Sequence, residues 1–300
     1  MNYQFCHGLA LALTLFATSA SAIPSPAQHE VVVCGWDEVF ILRIDGERRE
    51  RIWSWRAKGR SDIPEELHRL FGTTDECKPF DGGSKILITS SGGAAALVDR
   101  DSDRVLFYGR AANAHSADLL PRGRIAVAAS HARAGGGDRL ILFDAAKPDQ
   151  ELWSGELPWG HGVVWDERRR LLWALADEDI RVFELQDWET AAPKLRRVAL
   201  IPLPEAGGHD FTVVNDSLIA VSTAKRCWLF DRDKRTFAPH PELAAKASVK
   251  SISHHPAGRV MYVQAEGEKW WAERIRFLRP PGVMHIPGEH FYKARWNVPR

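Results

Sequence analysis

The chain has 300 residues, 40 Lys and Arg against 39 Asp and Glu, and a formal net charge of +1. With no basic surplus it lacks the electrostatic footprint of a bulk nucleic-acid binder. At 45% hydrophobic and 26% charged residues it is not a disordered chain. Twelve Trp and 13 Phe beside only 3 Met favour a β-rich fold, in which aromatic rings sit on half-buried pleated surfaces.

Residues 9–16 are apolar, and Ala20-Ser21-Ala22 follows at the spacing of a cleavage site. Residues 1–22 therefore read as a signal peptide, although no Lys or Arg precedes the apolar run. The mature protein, 23–300, is expected to be secreted or periplasmic. No later run approaches the ~18 apolar residues of a membrane span, so no membrane partner is expected. Cys6 leaves with the leader. Cys34, Cys77 and Cys227 remain, too widely spaced for a metal knuckle. They read as three small buried side chains, with a Cys34–Cys77 bridge as the alternative.

Short apolar runs bounded by Gly, Asp, Arg or Pro turns then recur along the whole chain. They fall at 31–34, 39–44 and 51–55, then 85–89, 94–98 and 105–108. The pattern repeats at 124–129, 140–143 and 151–153, and at 171–174, 180–185 and 197–201. It returns at 217–221, 227–230 and 236–238, and finally at 260–264, 274–278 and 291–296. One stretch, 63–71, reads as a helix, with Pro64 near its start.

Four segments share a template of a polar residue, an apolar stretch, a tight turn and a strand. They begin His115-Ser-Ala-Asp, His161-Gly-Val-Val, His209-Asp-Phe-Thr and Lys250-Ser-Ile-Ser. Their spacing, about 40 to 48 residues, is that of a four-stranded propeller blade. The fold class is accordingly all-β, a single β-propeller with blades starting near 30, 76, 114, 160, 208 and 248. The first blade lacks an inner strand of its own. Either a terminal segment completes it or a seventh, irregular blade lies around 57–75. A β-sandwich with a second domain does not explain the returning template.

In a propeller the innermost strands line the axis, and equivalent positions converge there. His115, His161, His209 and Lys250 are thus expected to meet at one mouth, forming the largest polar pocket. Loops between second and third strands reach the same mouth. They carry Trp36, then His131 and Arg133, then Lys225 and Arg226, and then Trp270 and Trp271. Such a rim suits an acidic sugar: cations pair with its carboxylate and indole faces pack on its ring. His254-His255-Pro256 falls at the opposite mouth and reads as a solvated turn. Asn215-Asp216-Ser217 is a glycosylation sequon in an equivalent turn. The triple glycine 135–137 has no Lys-Ser/Thr or strand-turn-helix context and is no phosphate cradle. No hydrolase elbow, zincin or EF-hand motif is present.

The run Asp75-Glu-Cys-Lys-Pro-Phe-Asp-Gly-Gly-Ser, Asn113-Ala-His-Ser-Ala-Asp-Leu-Leu-Pro121, His161-Gly-Val-Val-Trp-Asp166 and Phe291-Tyr-Lys-Ala-Arg-Trp296 together resemble a family of secreted propellers from bacteria and fungi, largely of unassigned function. The family is similar in turn to the fungal L-rhamnose-α-1,4-D-glucuronate lyases, which remove rhamnose caps from gum arabic. Clustered histidines on a propeller also resemble the oligogalacturonate lyases, where histidines hold a divalent metal. The resemblance spans nearly all of the mature chain and assigns no individual catalytic residue.

The resemblance and the basic rim together imply β-elimination on a uronate-containing oligo- or polysaccharide by a monomeric enzyme. Arg133 or Lys250 would neutralise the carboxylate, with one of His115, His161 and His209 as the base. A second His, or His131, would be the acid. Trp36, Lys225, Arg226 and Trp270 would bind substrate. No cofactor is required on this reading. A rival reading gives a divalent metal to His115, His161 and His209, against the repulsion of Lys250. The third reading is a non-enzymatic carbohydrate-binding or scaffold propeller.

Overall fold

A computed structural model describes residues 1, 30–46 and 48–298. The signal peptide read at 1–22 lies, but for residue 1, outside the described residues. The described chain forms six four-stranded antiparallel sheets, and inner strands touch their neighbours in chain order round a closed ring. The fold is a six-bladed β-propeller. Among the described residues there is no seventh blade.

Five blades are continuous in sequence. Their inner strands are Thr74–Phe80, Ala114–Leu120, Gly162–Asp166, Asp210–Val213 and Val249–His254. The first blade is shared between the chain ends. Glu30–Gly35, Glu38–Asp45 and Arg48–Trp55 are its outer three strands, and Lys293–Trp296 pairs antiparallel with Glu30–Gly35 as its innermost one. This C-terminal strand locks the ring and removes the free edges that an open array would leave.

The two-residue period of the strands sends alternate side chains to opposite neighbours. Val31 and Val33 pack against Met261, Val263 and Ile275 of the sixth blade. Val32 and Cys34 instead meet Ile86 and Ile88 of the second. The pattern recurs at every junction, giving six interblade cores rather than one central core. Gly162 is required by this packing: a Cβ there would lie 2.2 Å from the Cβ of Phe211 on the next blade.

The helix expected at 63–71 is a single turn, Glu65–His68, continued by the 3-10 turn Arg69–Phe71. Ile63, Leu67 and Phe71 wedge this connection between the first two blades, against Trp55, Ile88 and Ala96. Pro281–His285, the outer strand of the sixth blade, carries no strand signal because Pro and Gly open it. The three cysteines are buried free thiols rather than a bridge. The Sγ atoms of Cys34 and Cys77 both reach the carbonyl of Lys293, at 3.7 and 3.9 Å.

Inside the ring, the axis is plugged by buried charges. Arg295 forks to Glu76 at 2.8 and 2.9 Å and to Asp210 at 2.6 and 3.0 Å. Lys293 lies 3.4 Å from both carboxylates. Lys78 lies 3.4 Å from Asp118 and donates to the carbonyls of Ala117 and Val163. Burial raises the carboxyl pKa of Glu76 and Asp210, but Arg295 and Lys293 outweigh it and hold both below the ordinary range. The plug separates the two mouths.

Among the described residues no helix is long and apolar enough to cross a membrane.

Candidate functional site

Above the plug, one residue within a position of the start of each inner strand joins a ring round the axis. These are Asp75, His115, His161, His209, Lys250 and Tyr292, in blade order. Asp75, His115 and Lys250 occupy β-bulges, where pairing skips one residue. A bulge re-aims the side chain that an uninterrupted ladder would send into an interblade core. His161 and His209 stand one residue before their strands begin.

A second repeated feature lies two residues upstream. Asn113, Trp159, Gly207 and Ser248 all have positive φ, at 51, 50, 87 and 57°. Three of the four are non-glycine residues in the left-handed region, a costly conformation for a bulky side chain such as Trp. The kink turns the preceding carbonyl back onto the ring. Asn113 O accepts from Nδ1 of His115 at 2.9 Å, and Trp159 O from Nδ1 of His161 at 2.8 Å. A carbonyl only accepts, so Nδ1 carries the proton in both rings and Nε2 keeps its lone pair when the imidazole is neutral.

The ring is tightly packed. His115 and His161 have ring centroids 4.3 Å apart, and His161 and His209 4.7 Å. His115 Nε2 is 3.7 Å from Asp75 Oδ1, and the other oxygen of Asp75 accepts the N–H of Ser91. Nε2 of His209 lies 3.1 Å from Lys250 Nζ and 3.1 Å from the hydroxyl of Tyr292.

Burial dominates the electrostatics. It lowers the pKa of His115 against the opposing pull of Asp75. It drives His161 and His209 well below the usual imidazole range, helped by His115 and Lys250 respectively. Burial, then Lys293, brings the Lys250 ammonium down to about 8. Burial and the nearby Asp75 carboxylate push the Tyr292 phenol well up. Near pH 7 the site therefore presents neutral imidazoles, a mostly charged amine of reduced pKa and an intact phenol.

The sequence-derived residues divide into two groups. His115, His161, His209 and Lys250 converge as expected. Trp36 and Trp270 join an aromatic cluster beside them: Trp36 lies 4.9 Å from Trp270, 5.0 Å from Trp271 and 4.7 Å from His290, and Trp270 lies 5.6 Å from Tyr292. His131 is on the rim rather than in the ring, 2.8 Å from Asp138 and stacked on Trp159 at 4.7 Å. Arg133, Lys225 and Arg226 are exposed on rim loops. Asp75, Tyr292 and Trp159 were not singled out by the sequence.

Two expectations need correction. A cavity of 970 Å³ opens at the opposite mouth rather than over the histidines, lined by Asp118, Asp166, Arg232, Thr212 and Trp296. At the histidine mouth the imidazoles fill the space with one another. His254 and His255 are no solvated turn either. His255 is buried, and His254 lines that cavity with its Nε2 3.4 Å from Nε2 of His240.

The rival metal reading requires a common focus for the three imidazoles. Among the described residues, no group of three or more His, Cys, Asp or Glu side chains is arranged to hold a metal ion. Lys250 occupies the space against His209 that a cation would need.

Fold and site together define a six-bladed propeller with a ring of titratable side chains at one axial mouth. The chain belongs to a family of unknown function, DUF6528, which matches residues 20–300. No curated protein matches the chain.

Proposed function

We propose that the protein is an exported lyase that cleaves a uronate-containing glycan by β-elimination at the histidine mouth. The observation that carries this reading is the placement of an amine and a phenol each 3.1 Å from one imidazole nitrogen, Nε2 of His209. β-Elimination asks for a cation, a base and an acid within reach of one sugar ring.

Lys250 pairs with the uronate carboxylate and makes the carbon-5 proton more acidic. His161 takes that proton. Its tautomer is fixed by Trp159 O, leaving the Nε2 lone pair for the purpose. As the electron pair forms the new carbon–carbon double bond, the bond from carbon 4 to the leaving oxygen breaks, and Tyr292 protonates that oxygen. The phenolate regains a proton from water, relayed by His209, which takes up one proton as it gives one, and His161 releases its proton to water. Removal of rhamnose linked to glucuronate is one reaction of this form. The acid role, expected of a second histidine or of His131, is better supported for Tyr292 because of its contact with His209. A monomer without a required cofactor suffices for these steps.

The binding-module reading draws on a different observation. His115 and His161 are buried against each other, which suits a rigid floor as well as a proton-transfer site. Incubation with gum arabic, pectin and ulvan fragments separates the two. An unsaturated uronate product, read by its ultraviolet absorbance, supports the lyase. Binding without product on all three supports the module.

A further inference from the structure

The exposed large apolar side chains among the described residues include two aromatic rings, Trp159 at 49% exposure and Trp270 at 37%. Both stand at the histidine mouth. Trp159 lies between the outer strand Glu151–Glu156 of the third blade and the inner strand Gly162–Asp166 of the fourth. Trp270 lies in the sixth blade, against Trp36 of the first. In a ring of six, the junction of blades three and four faces the junction of blades six and one across the axis.

Each indole is built rather than incidental. Trp159 holds a left-handed backbone, φ 50°, that a bulky residue adopts only at a cost. Its backbone N–H donates to Asp138 at 2.7 Å, and one indole face is backed by the His131 ring, inclined by 19°. Asp138 also bonds His131 at 2.8 Å, so one carboxylate orients both halves of the stack. Trp270 is braced by Trp271 at 5.1 Å and by Tyr292 at 5.6 Å. Both walls connect directly to the floor, Trp159 through its carbonyl on His161 and Trp270 through Tyr292.

An exposed indole beside hydrogen-bonding groups suits the C–H face of a sugar ring, amphipathic in the same way. A ligand of one sugar cannot cover two walls on opposite sides of the axis. We infer that this mouth takes a linear glycan chain laid across it, with one sugar stacked on Trp159, another on Trp270, and an acidic sugar between them above Lys250 and His209. This rests on the reading of the mouth as an acidic-glycan site and adds that recognition extends over several consecutive sugars, rather than a single terminal one.

The test is binding, not turnover. Fragments of gum arabic, pectin and ulvan, graded from monosaccharide to hexasaccharide, are titrated by calorimetry. Affinity should rise with length. Trp159→Ala and Trp270→Ala should each weaken the hexasaccharide roughly tenfold and leave the monosaccharide unchanged. The double variant should lose roughly a hundredfold, since distant sites add. Trp159→Phe should recover most of the loss, and circular dichroism with thermal melting verifies each fold. Length-independent affinity, equal losses at all lengths, or no binding of any fragment overturns the inference. Length-dependent binding without product leaves it standing and overturns the lyase reading alone.

Discussion

Tyr292 places its hydroxyl 3.1 Å from Nε2 of His209, so the strand that closes the ring also completes the site. Removal of that hydroxyl tests whether the contact handles a proton. Tyr292→Phe should reduce kcat by roughly a hundredfold, the scale of one general acid. Affinity for the same glycan should change little, because the ring still packs on Trp270. A loss confined to affinity would make Tyr292 a binding residue.

Lys250 sets the alkaline limit. An amine with a pKa of about 8 is mostly charged below that pH and loses its proton as pH rises through it. Affinity for a uronate ligand should hold from pH 6 to about 7 and fall above about 8. His161 and His209, driven well below the usual imidazole range by burial, stay neutral throughout this window. Lys250→Met should weaken uronate binding roughly tenfold and flatten the alkaline limb. Titration calorimetry across the pH series reads both effects. An unchanged pH profile in the variant would remove Lys250 from carboxylate recognition.

The buried plug makes a stability prediction. Arg295→Met leaves Glu76 and Asp210 in the axis without their principal partner, at a cost of about 3–5 kcal/mol. Both carboxylates have folded pKa values below their unfolded ones. Their contribution is therefore complete above the unfolded values, about 4, and is lost as pH falls below them. Thermal melts of the parent should drop steeply between about pH 4 and 2, and the Arg295 variant should melt lower already at pH 7. A variant that melts with the parent would contradict the plug as a source of stability.

Deletion of residues 293–300 removes the inner strand of the first blade together with Lys293 and Arg295. The remaining sheets should lose their single cooperative transition, as seen by calorimetry. A cooperative transition at the parent's temperature would mean that the ring does not depend on this closure.

The blades were legible because short apolar runs recur along the chain and four of the six inner strands have His115, His161, His209 or Lys250 within a position of their start. The sixth and first positions of the ring were harder. Tyr292 belongs to a blade whose other strands lie at the opposite end of the chain, so no local repeat announces it. Asp75 opens its strand with a carboxylate, which departs from the basic template. Of the left-handed residues behind the ring, Gly207 and Asn113 are of types that favour that conformation; Trp159 and Ser248 are ordinary residues driven there by the fold. The charged plug was hidden for the opposite reason. Glu76, Lys78 and Arg295 sit in strands whose polar positions read as solvent-facing, and only the closed ring turns them inward. The same closure makes the imidazoles fill their own mouth, while the 970 Å³ cavity opens at the other end.

The central claim, proton transfer at the histidine mouth, is tested most directly by His161→Ala assayed for turnover and affinity on one glycan fragment. The account predicts that the parent forms an unsaturated uronate product and that the variant loses at least roughly a hundredfold in kcat while its Kd stays within about threefold. Unchanged turnover in the variant, or a parent that binds the fragments and forms no product, would contradict it.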